Sequence, residues 1–215
     1  VTGAGPVPIT LATIESAVID GQGGGDGLTY TSPAGIDVLA YTTGANSDEG
    51  TITGRSALAA GTGLMPLSFT NLGATGAAAN TVNFVDVSGN PTDRLEVRGT
   101  EFDDIFNVAA AAGGTIRVQT PFLFRTLPIN TAGIDVAILQ GLDGDDTFNV
   151  PGNHPYPDAA FPHGAGLRIE GGNPGSGSDV LNFTGSGTVA NLITADLGLQ
   201  TITEATNAPV AYSGI

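Results

Sequence analysis

Three aspartates within four positions, in the stretch GLDGDDTFNV (141–150), are the densest chemistry in the chain. As carboxylates, Asp143, Asp145 and Asp146 repel one another unless hydrogen bonds or a counter-charge hold them. All six basic residues are arginines, none is lysine, and the nearest arginine in sequence is Arg125. A calcium ion would make the crowding favourable. It takes about six to eight oxygens from carboxylates and backbone carbonyls, and a Gly/Asp-rich turn offers both. Magnesium fits less well because it retains several of its waters. The same residues also have a purely structural reading, in which aspartate side chains accept turn amides and glycines supply positive φ.

The phrase recurs. LEVRGTEFDDIFNV (95–108) and AILQGLDGDDTFNV (137–150) align without gaps, so Gly99, Asp104, Phe106 and Val108 match Gly141, Asp146, Phe148 and Val150. VIDGQGGGDGLTYT (18–31) fits through Gly21, Asp26, Leu28 and Tyr30. LRIEGGNPGSGSDVLNFT (167–184) fits with three extra turn residues, through Gly171, Asp179, Leu181 and Phe183. TTGANSDEGTITG (42–54) is a degenerate fifth copy with Asp48 and Glu49. The candidate metal ligands are therefore Asp143, Asp145, Asp146, Asp103, Asp104, Asp26, Asp179, Asp48 and Glu49. With Glu101, the five turns hold ten of the 21 acidic residues.

GLDGDDTFNV resembles the glycine-rich nonapeptide of hemolysin-type (RTX) calcium-binding proteins, G-G-x-G-x-D-x-U-x with U apolar. Gly141, Gly144, Asp146 and Phe148 carry the likeness, as do Gly175, Gly177, Asp179 and Leu181, and Gly24, Asp26 and Leu28. The resemblance implies that aspartates and glycine carbonyls of successive turns share calcium ions. It also implies an extracellular spacer, surface-layer or matrix role, as in diverged repeats of large secreted bacterial surface proteins and adhesins. One departure stands out. The copies are not in tandem, since Asp104, Asp146 and Asp179 are 42 and 33 residues apart. A longer-pitch coil must bring the turns together.

Other groups carry weaker chemistry. His154, Asp158 and His163 lie in one proline-rich stretch that reads as an exposed loop, with a transition-metal site as the sharper alternative. Arg94, Arg98, Arg117 and Arg168 fall on or near expected strands, which leaves a polysaccharide-lyase-like site conceivable. Against it, no nucleophile–base set is recognisable. Asn182 opens a formal glycosylation sequon inside an expected strand.

The elements that must position these residues are short. Apolar residues are 40% of the 215, glycine (33) and proline (13) are abundant, and helix-length windows free of both are few. Strands are expected at 81–87, 94–97, 115–120, 134–139, 166–170 and 180–183, and 190–199 is the best helical candidate. A formal charge of −15 disfavours nucleic acid and anionic membranes. Without cysteine or lysine, thiol and Schiff-base chemistry are excluded. No apolar run reaches membrane-span length, so direct membrane insertion is not expected.

The expected fold is all-β, a repeat-built β-solenoid or parallel β-helix, because strand–turn units recur without strong hairpin signals. One or two β-sandwich domains are the alternative. The chain reads as a single β-repeat segment over 1–215 with approximate units 1–35, 36–133 and 134–215. The phrase AYSGI (211–215), echoing SPAGIDVLAY (32–41), suggests excision from a longer array. The expected function is structural rather than enzymatic. It is a calcium-stabilised extracellular or cell-surface segment building a surface layer, fibre or adhesin stalk, with calcium ions and self-association or neighbouring repeats as partners. A carbohydrate-binding or lyase-like module and a metal-free structural β domain are the alternatives.

Overall fold

Alternating apolar and polar residues, with β-branched and aromatic side chains between Gly/Asp turns, give seventeen short strands among the described residues. In the computed structural model, those residues are 14–33, 35–56, 63–73, 81–86, 93–110, 114–121, 126–157, 166–187 and 190–215. The strands are β1 (Ala17–Asp20), β2 (Leu28–Ser32), β3 (Asp37–Thr43), β4 (Gly50–Ser56), β5 (Gly63–Thr70) and β6 (Val82–Asp86). Next come β7 (Arg94–Arg98), β8 (Ile105–Val108), β9 (Thr115–Gln119), β10 (Ile129–Asn130), β11 (Val136–Asp143) and β12 (Thr147–Pro151). The last are β13 (Leu167–Asn173), β14 (Val180–Thr184), β15 (Ile193–Asp196), β16 (Thr201–Glu204) and β17 (Val210–Ser213).

They form two mixed sheets, neither closed into a barrel. The larger has the order β1-β5-β4-β3-β7-β11-β13-β17-β16-β15, the smaller β14-β12-β8-β9-β10-β6-β2. Strands joined by the repeated turn split between the sheets and keep the same order in each. Thus β7, β11 and β13 are parallel neighbours in one, and β8, β12 and β14 in the other. The register is in step with the repeated phrase. Leu39, Leu95, Ala137, Leu167 and Val210 form one column, and Tyr41, Val97, Leu139, Ile169 and Tyr212 another. In the smaller sheet, Phe106, Phe148 and Leu181 are aligned. Phe106 and Phe148 stack at 4.8 Å between ring centroids. Residues of both sheets feed one core cluster. Each fully buried phenylalanine in it is worth about 1.5–3 kcal/mol of transfer free energy.

Two expectations need correction. Hairpins are present: β3–β4–β5, β8–β9–β10 and β15–β16–β17 are antiparallel runs. None needs an Asn-Gly turn, because packing of the apolar face over the shared core selects the pairing. The helix expected at 190–199 is instead β15 and a turn. Ile193 and Thr194 pair with Glu204 and Thr203, and the Asp196 carboxylate accepts the N–H groups of Gly198 and Leu199, both at 2.9 Å. That side-chain capping competes with helix formation. The six expected strands all appear within a residue or two of their expected start, although β11 runs on to Asp143. Among the described residues, no helix is long and apolar enough to cross a membrane.

Candidate functional site

The candidate site is the file of turns joining the two sheets. Parallel, in-register pairing stacks the turn after β7 on the turn after β11, and that on the turn after β13. It thereby brings together acids 42 and 33 residues apart. Asp104, Asp146 and Asp179 form an inner row, all buried. Asp146 Oδ1 accepts the backbone N–H of Asp104 at 2.7 Å, and Asp179 Oδ1 accepts that of Asp146 at 2.8 Å. Asp104 sits where the row begins, and its Oδ2 takes the N–H (2.5 Å) and hydroxyl (3.0 Å) of Thr100. An outer row runs beside it. Asp103 Oδ1 accepts the Asp145 N–H at 2.9 Å, and the Asp145 carboxylate accepts the Gly177 N–H at 2.9 and 2.8 Å. Asp103, Asp145, Asp146 and Asp179 therefore each cap a backbone donor of an adjacent turn, and Asp104 one of its own, by charge-assisted bonds stronger than neutral ones.

The glycine of the phrase has a reason the sequence did not suggest. Gly99, Gly141 and Gly171 are absent from the positive-φ glycines, which include Gly144 (119°) and Gly172 (112°). They are glycines because of close approach. A Cβ on Gly141 would collide with Asp146 Oδ2 and the Gly171 carbonyl oxygen. One on Gly171 would meet the Gly214 carbonyl oxygen and, at 2.5 Å, Asp179 Oδ2. Gly99 is fitted against Asp104 Oδ2 in the same way. The Gly-x4-Asp spacing is thus a steric pair: the carboxylate lies where the side chain would be.

This packing leaves no room for a side chain at Gly141 or Gly171. Asp146 Oδ2 and the Gly171 carbonyl crowd the same point, as do Asp179 Oδ2 and the Gly214 carbonyl. Asp104 Oδ1, Asp146 Oδ2 and Asp179 Oδ2 have no hydrogen-bond partner among the described residues. Burial pushes the Asp146 carboxyl up to about 7, with Asp104, Asp179 and Asp103 adding repulsion, and burial also raises Asp104. A proton on Asp146, or a cation, relieves the buried charge.

The remaining candidate ligands fall elsewhere. Asp143 is exposed and accepts from Asn173 Nδ2 at 3.3 Å. Asp26 lies in the exposed turn between β1 and β2, its N–H on the Leu72 carbonyl. Asp48 and Glu49 belong to the β3–β4 hairpin and do not join the file. Asp48 caps the Gly73 N–H at 3.0 Å, and Glu49 holds the Asn46 amide at 2.7 Å. Among the described residues, no group of three or more His, Asp or Glu side chains is arranged to hold a metal ion.

A second file escaped the sequence reading. Asn149 Nδ2 donates to Asn107 Oδ1 at 3.1 Å and Asn182 Nδ2 to Asn149 Oδ1 at 3.0 Å. The signal was available, since asparagine stands three residues after the aspartate in all three copies. Asn182, the sequon residue, is thus held within β14's side-chain ladder.

His154 is a correction to the exposed-loop expectation. It is buried, stacks on Tyr156 with centroids 6.0 Å apart, and its Nδ1 accepts the Tyr156 N–H at 3.4 Å. Tyr156 in turn bonds Thr131 at 2.9 Å. Asp158 and His163 lie outside the described residues. Burial lowers the His154 imidazole to about 4, so it is neutral in the folded state near pH 7. Between about pH 4 and 6.5 the unfolded chain binds the proton and the folded chain does not. Stability is then expected to fall as pH drops through that window. A His154→Phe variant, followed by thermal unfolding from pH 7 to 4, should lose this part of the slope.

Of the arginines named earlier, Arg94, Arg98 and Arg168 share the outer face of the larger sheet, whereas Arg117 is on β9 of the smaller one. No family model, curated protein or solved structure matches the chain.

Proposed function

We propose that the chain is a structural segment of an extracellular or cell-surface protein. It is a β-solenoid in which like turns stack to build a surface layer, fibre or stalk. The observation that carries this reading is the recurrence of Gly, Asp, Phe or Leu, and Asn at equal register in successive strands. Stacked identical residues make a seam that further rungs of the same kind can extend. A file of capped aspartates stiffens turns and, among the described residues, offers no nucleophile and no general base aimed at a cleft. Sedimentation velocity over a wide concentration range tests the role. Concentration-dependent growth into elongated species supports it, and a compact, strictly monomeric particle at all concentrations counts against it.

A second reading keeps calcium, favoured by one specific observation. Buried carboxylates recur along the inner row at Asp146 and Asp179, with an unpartnered oxygen at each. Calcium would supply charge neutralisation there, and Asp104, Asp146 and Asp179 are the residues that would hold it. Thermal unfolding in calcium against chelator separates the two. A ligand at a hundredfold excess over its Kd adds about 2.7 kcal/mol, or roughly 5–11 °C for a chain of this size. The self-sufficient, hydrogen-bonded file predicts no shift. A shift of that size, lost in Asp146→Asn, would establish the calcium reading instead.

A further inference from the structure

The outer face of the larger sheet carries an ordered grid of side chains. Across β4, β3 and β7, Arg55 aligns with Val38 and Arg94, Thr53 with Ala40 and Glu96, and Thr51 with Thr42 and Arg98. The rows continue on β11 and β13 through Ile138 to Arg168, and through Gln140 to Glu170. Four of the chain's six arginines therefore stand on one sheet face against two glutamates, in a protein of formal charge −15. The small residues of β3 make this face concave. Val38 and Ala40 floor a trough of about 300 Å³, walled by Thr53 and Arg55 on one side and Glu96 and Arg98 on the other.

The polar groups are positioned from below. Arg98 donates to Glu96 and, at 3.0 Å through Nε, to Gln140, which passes a 2.8 Å bond to Glu170. Glu170 also pairs with Arg168 at 2.9 Å. This network fixes the Arg98 guanidinium and leaves three of its five N–H donors. Across the trough, Arg55 meets no acceptor among the described residues. The two cations lie two strands and about four residues apart, roughly 16 Å between Cα atoms on ordinary sheet spacings. Spread along the trough, the pair suits a chain with repeated negative charges.

We propose that this trough binds a carboxylated polysaccharide, with Arg55 and Arg98 engaging carboxylates of separate sugars and Thr53 and Glu96 taking hydroxyls. A peptide is less suited. Extended peptides add to sheet edges through main-chain bonds, and here β4, β3 and β7 are interior strands whose ladders are already paired. Side chains alone face the ligand, and hydroxyl donors and acceptors are what a glycan brings. Specificity rests on charge and hydrogen bonds, since no aromatic residue among the described residues lines the trough.

Isothermal titration with an oligomer of galacturonic acid is the test, with neutral dextran and polyglutamate as comparators. Binding of the uronic oligomer is expected, weakened at least tenfold by Arg55→Ala and by Arg98→Gln, and weakened further by salt. Arg55→Ala should leave the unfolding temperature unchanged, which separates lost binding from lost fold. Absence of uronate binding to the intact chain overturns the proposal, as does binding indifferent to Arg55→Ala. Equal or tighter binding of polyglutamate overturns the glycan assignment in favour of an acidic peptide.

Discussion

Replacing Gly141 by alanine is expected to destabilise the chain by about 2–6 kcal/mol. The added methyl has no free direction. It meets Asp146 Oδ2 on one side and the Gly171 backbone carbonyl on the other. A flexible side chain could swing away, but Asp146 is fixed by the bond from the Asp104 N–H, and the Gly171 carbonyl belongs to the paired strand β13. Relief therefore requires parting β11 from β13 or expelling the carboxylate, which strands a buried N–H. Overpacking of about 1–3 kcal/mol and an unsatisfied donor of about 1–3 kcal/mol then act together. Denaturant unfolding measures it, with Gly63→Ala as the control. Gly63 lies on β5, and an added Cβ there would have no described atom within 4 Å. That substitution should change stability by less than about 0.5 kcal/mol. Equal stability of the two variants would show that the turns are not stacked as described.

How far the sequence could lead follows from the same residues. The phrase itself was legible: the gapless match of 95–108 with 137–150 becomes a one-to-one register, Phe106 on Phe148 and Val97 on Leu139. The function of its glycine was not. In sequence, a glycine before an aspartate reads as a turn needing positive φ. The close approach that excludes a side chain at Gly141 comes from the folded-back Asp146 carboxylate and from the Gly171 carbonyl, thirty residues away. The detours were also hidden. Strands β3 and β4 enter the larger sheet and β9 and β10 the smaller one, so that neither run interrupts the stacked turns. Their pairing depends on long-range burial rather than on turn residues. Asp48 and Glu49 illustrate the cost of reading composition alone. They have the right residue types near the right glycines, yet a hairpin carries them away from the file. His154 shows the converse, since a histidine among prolines reads as exposed until it is found buried and stacked on Tyr156.

Asp146→Asn is expected to stabilise the chain at pH 8 by about 2–4 kcal/mol once solvent screening at the turn is allowed for, or roughly 4–16 °C. Asparagine keeps the acceptor for the Asp104 N–H. It also cannot ionise. In the native chain the Asp146 carboxyl is raised from 3.8 to about 7, so its proton is held more tightly folded than unfolded. That contribution is complete below about pH 3.8 and lost as pH rises through 7. Asp146→Ala removes the ionisation cost too, but leaves the Asp104 N–H buried without an acceptor, a loss of about 1–3 kcal/mol. Alanine should thus be nearly neutral at pH 8 and clearly destabilising at pH 4, whereas asparagine is stabilising at pH 8 and nearly neutral at pH 4. His154 contributes a slope of opposite sign between about pH 4 and 6.5, so the parent chain shows their difference. Asp146→Asn should leave the histidine slope exposed, with stability rising with pH, and His154→Phe the aspartate slope, with stability falling. If the seam is instead closed by calcium, the sign of Asp146→Asn reverses in calcium-containing buffer, because the substitution removes a ligand. Unfolding temperatures of the three variants across pH, with and without chelator, therefore decide between a proton and a cation at this position.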